Sequence, residues 1–363
     1  MRHTDVLVIG GGPAGLNAAM AAVDCGAEVT LVDSADRLGG QLVKQTHKFF
    51  GSKREHAGTR GIEIAATLAE KVGSHPRIRT MLRSEALGYY PDGVVALEQD
   101  EKWIKIKPKR LVVATGASEK FLAFPNNDLP GIYGAGAVQT LMNVYGVVPG
   151  KRVVMVGAGN IGLIVSYQLR QAGVEVAAVV EAMPQIGGYA VHASKIRRLG
   201  IPILVSHSVK EAIGREQLEK VVVWKLDQNW QGIPGTEIEF EADVLCLAVG
   251  LSPTVDLLWQ AGCRMAYVPE LGGHVPWYDE NQRTSVETIY VAGDAAGVEE
   301  ASSAMLTGRI AGLSAAMSLG LGGDGAAQLE VARKELAALR AGPAGEKIRA
   351  GLAKLRGSGV VAC

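Results

Sequence analysis

Asp5-Val-Leu-Val-Ile-Gly10-Gly-Gly12-Pro-Ala-Gly15 stands near the start of the chain. Arg152-Val-Val-Met-Val-Gly157-Ala-Gly159-Asn-Ile-Gly162 repeats its plan. Each is an apolar run that meets a G-x-G-x-x-G pattern. The spacing predicts a buried strand, a tight glycine turn and the start of a helix. One such pattern alone is weak. Here both lead through an Ala- or Leu-rich helix to a second strand that ends in an acid. Those acids are Asp33 and Glu181, each about 20 residues past its glycines, where a ribose hydroxyl needs an acceptor. A chain with this context twice is expected to bind two dinucleotides and to pass electrons between them.

Working outward, Val29-Thr-Leu-Val32 reads as the next parallel strand, and residues 60–73 read as a helix with apolar positions at Ile62, Ala65, Ala66, Leu68 and Ala69. Residues 79–106 suggest a strand meander with a turn near Pro91-Asp-Gly93. Leu111 to Ala117 and Val244 to Leu251 are matching apolar strands that end in glycine turns. The expected class is α/β, with two Rossmann-like dinucleotide-binding domains in three layers, the second inserted into the first. The expected boundaries are 1–120 plus 278–325 for the discontinuous first domain and 121–277 for the second. A C-terminal helical tail, 326–363, is read as a solvated helix pair, with partner docking as the sharper alternative.

Composition narrows the class. Lys plus Arg equals Asp plus Glu at 37 each, which argues against a nucleic-acid binder or a polybasic membrane protein. No apolar run is long enough for a membrane span. No signal peptide fits before the strand at Asp5, so a cytoplasmic protein is expected. Cys25, Cys246, Cys263 and Cys363 lie far apart and form no C-x-x-C. No metal, iron–sulfur or dithiol site is therefore expected within the chain.

The set Val8-Ile-Gly-Gly-Gly-Pro-Ala-Gly15, Leu38-Gly-Gly-Gln41, Val113-Ala-Thr-Gly116, Val156-Gly-Ala-Gly159 and Tyr290-Val-Ala-Gly-Asp294 resembles the two-dinucleotide-binding-domain flavoproteins, among them thioredoxin reductase. The resemblance covers roughly residues 5–320. The stretch Gly39 to Gly51 is more narrowly similar to the flavin subunit of multi-subunit amine and amino-acid dehydrogenases. Hydrogen cyanide synthase, opine oxidase, sarcosine oxidase and D-hydroxyproline dehydrogenase are of that type. Disulfide reductases of the wider group carry a paired cysteine that is missing here, which argues against thiol–disulfide exchange. Larger members of the narrower group append an iron–sulfur domain. The resemblance therefore implies a small iron–sulfur subunit and a second flavoprotein subunit as partners.

The resemblance implies FAD at the first fingerprint. Gly10 would form the tight turn, Gly12 the approach to the pyrophosphate and Gly15 the close helix packing, with Pro13 and Ala14 in the same helix start. Asp33 would accept from the adenosine ribose. Gly40 and Gln41, then Ala114, Thr115 and Gly116, would pass beside the cofactor. Gly293 and Asp294 would hold the ribityl chain, and the helix beginning near Ser302 would aim its N-terminus at the flavin ring. Gly157, Gly159, Asn160, Ile161, Gly162, Glu181 and Gly250 would hold NAD(H). Glu181 disfavours NADP(H), although Arg197 and Arg198 could fold back towards a 2′-phosphate. Hydride transfer needs positioning more than proton donors, so no catalytic acid or base is expected beyond the weak candidate His47. Lys44, Lys48, Lys53 and Arg54 form a basic stretch read chiefly as a solvated face.

Three functions fit this reading. The favoured one is the FAD subunit of a heteromeric dehydrogenase. The second is a free-standing NAD(P)H:acceptor reductase that uses ferredoxin or a quinone. The third is a scaffold subunit that holds ATP or ADP at the second site.

Overall fold

The computed structural model describes residues 1–49 and 56–357. Phe50 and Gly51 of the narrower motif, Lys53 and Arg54 of the basic stretch, and Cys363 lie outside the described residues. The chain divides into two compact units, Met1–Ser118 with Leu251–Cys363, and Glu119–Gly250.

The first unit is built on a sheet that runs Ile78–Met81, Val29–Val32, Arg2–Ile9, Lys102–Val113, with Ile289–Val291 added alongside Leu111–Val113. These contacts are all parallel. The antiparallel strands Ser84–Tyr89 and Val95–Gln99 extend the sheet from the other half of Lys102–Val113. The meander thus starts at Ser84 rather than at 79, because Ile78–Met81 belongs to the parallel set. The central strand explains its unbroken apolar run. Val6 and Val8 enter the core under the helix Pro13–Asp24, whereas Leu7 and Ile9 enter a second core on the opposite face. A strand covered on both faces has no use for alternating polarity.

The helix Ala301–Met317 lies against Pro13–Asp24 at backbone contact. A Cβ at Gly308 or Gly312 would stand 2.0 or 2.1 Å from the carbonyl oxygens of Ala14 and Ala18. Two glycines four residues apart share one helix face, and that face is what permits the approach.

The second unit repeats the plan. Its parallel sheet runs Ile203–Val205, Glu175–Glu181, Arg152–Val156, Val244–Leu247, Ile132–Gly134. An antiparallel group follows, His207–Ile213, Lys220–Lys225 and Ile238–Glu241. Val153 and Met155 face one core while Val154 and Val156 face the other.

Two expectations need correction. The chain returns to the first unit at Leu251, not after Trp277. Val255, Leu257, Leu258, Met265 and Val275 share a core with Leu7, Ile9 and Val113, and burial there decides the boundary. The tail is not a solvated pair either. Its helices, Gly325–Arg340 and Glu346–Arg356, bury Leu329, Ala332 and Leu336 in one core of the first unit and Leu352 and Leu355 in the other.

Candidate dinucleotide-binding sites

The three glycines of the first fingerprint do different work. Gly10 has φ +107°, which L side chains rarely adopt, and a Cβ there would lie 2.2 Å from the Ala114 carbonyl oxygen. A Cβ on Gly15 would lie 1.7 Å from the Gly10 carbonyl oxygen. Both are glycine because protein backbone fills the space. Gly12 differs. Its φ is an ordinary −78°, and the nearest heavy atom to a Cβ is Gly40 Cα at 3.8 Å. The missing side chain leaves room that the protein does not fill. Gly12 also precedes the helix Pro13–Asp24, which begins with no side-chain cap. The amide end of that helix, with its partial positive charge, faces the same space. That geometry suits a diphosphate.

Asp33 is tied to this turn. Its Oδ2 accepts from Gly11 N–H at 2.5 Å and its Oδ1 from Ala35 N–H at 2.7 Å. Each carboxylate oxygen can accept once more, as a ribose diol requires. Gly39 N–H donates to the Gly11 carbonyl at 2.8 Å. Gly40, with φ +52°, lies against Gly12, and Gly293, with φ +64°, lies against Ala14. Thus Gly10, Gly12, Pro13, Ala14, Gly15, Asp33, Gly40, Ala114 and Gly293 form one cluster drawn from five segments.

The remaining predicted residues sit less directly. Thr115 Oγ1 donates to the Thr254 carbonyl at 2.6 Å, and the Gly116 carbonyl accepts from Thr254 N–H at 3.0 Å. These bonds fix the return segment. Gln41 is exposed in the short turn Gly40–Lys44, and Ser302 is half-buried in the first turn of Ala301–Met317. Asp294 is half-buried, and its Oδ1 accepts from Glu299 N–H at 3.3 Å. Burial, reinforced by the nearby Glu299 carboxylate, pushes its pKa up to about 6. His47 stacks its ring on Phe49, with centroids 5.9 Å apart, and its carbonyl accepts from Gly61 N–H at 3.4 Å. Those contacts tie it to the helix Gly61–Gly73 rather than to the glycine turn.

The second fingerprint is a close copy. Gly157 has φ +101°, and a Cβ there would meet the Ala248 carbonyl oxygen at 2.3 Å. A Cβ on Gly162 would meet the Gly157 carbonyl oxygen at 2.0 Å, whereas Gly159 has no heavy atom within 4 Å of that position. Glu181 Oε2 accepts from Ala158 N–H at 2.7 Å and Oε1 from Met183 N–H at 2.9 Å. Asn160 Oδ1 accepts from Tyr189 N–H at 2.8 Å, and Ile161 is exposed at the helix start. Gly250, with φ +113°, accepts at its carbonyl from Lys120 N–H at 3.0 Å. Arg197 and Arg198 are exposed at the end of the helix Ala190–Arg198.

Sequence reading missed a second parallel between the copies. Leu38-Gly39-Gly40 follows Asp33 at the same interval as Ile186-Gly187-Gly188 follows Glu181. Gly188 N–H donates to the Ala158 carbonyl at 2.9 Å, and a Cβ on Gly188 would stand 2.9 Å from the Gly159 carbonyl carbon. The doubled glycine was the available signal.

Cys25, Cys246 and Cys263 are free and buried, and burial raises the pKa of each thiol. That is the reverse of what a nucleophilic thiolate needs. Among the described residues no group of three or more His, Cys, Asp or Glu could hold a metal ion, and no helix is long and apolar enough to cross a membrane.

Residues 4–320 match the family described as pyridine nucleotide-disulphide oxidoreductase. Sarcosine oxidase subunit alpha from Corynebacterium sp. (strain P-1) is 30% identical over 88% of this chain and 33% of its own length. Hydrogen cyanide synthase subunit HcnB from Pseudomonas protegens is 29% identical over 87% of this chain and 71% of its own. The chain therefore spans only about a third of the first of these relatives. Among solved structures, L-proline dehydrogenase from P. horikoshii superposes with a TM-score of 0.68 at 26% identity, over 92% of this chain and 59% of that one. Thioredoxin reductase from T. acidophilum superposes with a TM-score of 0.71 at 24% identity, over 88% and 99%.

Proposed function

The chain belongs to the pyridine nucleotide-disulphide oxidoreductase family, and from that premise we propose that it is the flavin subunit of a heteromeric amine or amino-acid dehydrogenase. It is an FAD-dependent pyridine-nucleotide oxidoreductase. The first cleft takes FAD and the second takes NAD(H). Electrons pass on to a partner flavin or iron–sulfur subunit, and the amine is oxidised on another chain. One observation carries the assignment of two clefts. In each fingerprint the outer glycines are filled by protein, the middle one opens onto unfilled space, and an acid is bonded to the turn beside it.

FAD, when bound, supplies two-electron chemistry. This chain's residues supply placement. Gly12 and the helix start receive the diphosphate, Asp33 the adenosine ribose, and Asp294 with Gly293 the ribityl chain. At the second cleft Glu181 supports NAD(H) over NADP(H), because a carboxylate accepts a ribose diol and repels a 2′-phosphate. The subunit reading is supported by the names of the relatives, since sarcosine oxidase subunit alpha and HcnB are each described as one subunit of a larger enzyme.

The test is anaerobic addition of NADH to the purified yellow chain, followed by co-purification of partners. Bleaching by NADH and activity that appears only with partner chains is the expected result. Flavin that stays oxidised in NADH would sink the second-cleft assignment. Full turnover with a simple acceptor by the isolated chain would sink the subunit reading.

A further inference from the structure

The family match ends at residue 320, and the chain runs on into the helices Gly325–Arg340 and Glu346–Arg356. Apolar packing anchors both, but Arg340 does something that packing does not require. Its guanidinium grips both oxygens of Glu299. Nε donates to Oε2 at 3.0 Å, and Nη2 donates to Oε1. The two side chains are only 11% and 10% exposed. The fully buried Tyr278 ring lies close to both charges.

Glu299 occupies a sensitive place. Its own N–H donates to Asp294 Oδ1, and the next residue, Glu300, begins the helix Ala301–Met317. The loop between Gly293 and that helix is also held by bonds to other elements. Gly293 N–H donates to Thr307 Oγ1 at 3.0 Å, and Val298 N–H donates to the Leu271 carbonyl at 3.0 Å. Through the Glu299 side chain the tail takes hold of it.

We propose that Arg340 is a positioning residue of the flavin site, which holds and neutralises Glu299 so that the Asp294 turn and the amide end of Ala301–Met317 keep the geometry a bound flavin needs. This rests on the reading of the first cleft as the FAD site. Without Arg340, the Glu299 carboxyl loses its partner in a poorly solvated place beside Asp294 and close to the helix start. A stranded buried carboxylate either distorts the loop or draws in water. A flavin gains negative charge when reduced, so an unpaired carboxylate nearby opposes reduction as well as binding.

The experiment compares full-length wild type, Arg340→Gln, Arg340→Lys and the double variant Glu299→Gln/Arg340→Gln. Each is stripped of flavin, titrated with FAD, and measured for the midpoint potential of the bound flavin. Arg340→Gln is expected to bind FAD about tenfold more weakly, with a potential shifted to more negative values. The double variant strands no charge and is expected to recover most of both. A mere structural brace would leave the double variant no better than the single one, and that result overturns the proposal. So does Arg340→Gln with wild-type affinity and potential. Should Arg340→Gln fail to fold, Arg340→Lys decides. It keeps the charge and loses the two-pronged grip, so affinity falls while the potential holds, and unchanged affinity overturns the proposal. A wild-type chain that takes up no FAD overturns the first-cleft reading itself and this proposal with it.

Discussion

Glu181 accepts the backbone N–H of Ala158 at 2.7 Å, across the strand, turn and helix that separate them. Asp33 does the same for Gly11. The acid that would receive a ribose also fastens the turn that would receive the phosphates, so one side chain serves both ends of the nucleotide. Glu181→Ala removes a charge-assisted bond worth about 1.5–3 kcal/mol. The KM for NADH should rise by roughly tenfold or more, and discrimination against NADPH should relax. Steady-state kinetics with both nucleotides check this, and unchanged constants would rule out the role.

The glycine geometry separates binding from folding. Gly12→Ala places a methyl group where the nearest heavy atom is 3.8 Å away, so the fold should tolerate it while FAD retention falls. Gly12→Val should abolish retention, because a larger side chain fills the phosphate approach. Gly15→Ala instead drives a methyl group to within 1.7 Å of the Gly10 carbonyl oxygen, and should destabilise the chain with or without flavin. Thermal melts paired with flavin content decide. A Gly12→Ala chain that keeps its full FAD would contradict the first-cleft assignment.

Much of this was legible in the residues. Val6 to Ile9 and Val153 to Val156 announce strands covered on both faces, and the glycine spacing locates both turns. What escaped had physical reasons. Residues 251–277 carry apolar positions such as Val255, Leu257, Leu258 and Met265, and nothing in their pattern says which core they join. The strand Ile132–Gly134 is too short to show a period. The bonds from Gly11 and Ala158 to the acids come from backbone amides, which leave no mark in a sequence. Arg340 and Glu299 lie 41 positions apart, on elements that meet only because the tail packs back.

The tail should contribute to stability as a core element does. Leu355 is fully buried among the residues that surround Leu271 and Tyr278. Leu355→Ala should cost about 2–5 kcal/mol, the range for truncating a buried leucine. Urea denaturation followed by circular dichroism would measure it. A loss below about 0.5 kcal/mol, typical of surface changes, would mean that the helix Glu346–Arg356 is not docked in solution.

Asp294 sets a pH dependence whose sign can be worked out. Its pKa is about 6 in the folded chain against the ordinary 3.8, chiefly through burial. The folded state therefore holds the proton more tightly than the unfolded state does. The stabilisation from this group is complete below pH 3.8 and is lost as pH rises through about 6. The loss amounts to up to about 3 kcal/mol, since each pKa unit corresponds to about 1.4 kcal/mol. Asp294→Asn carries no such charge. In flavin-free protein it should melt higher than wild type at pH 7, and the two should converge as pH falls towards 4. A difference in melting temperature that stays constant from pH 4 to pH 7 would show that the Asp294 carboxyl does not titrate in this window.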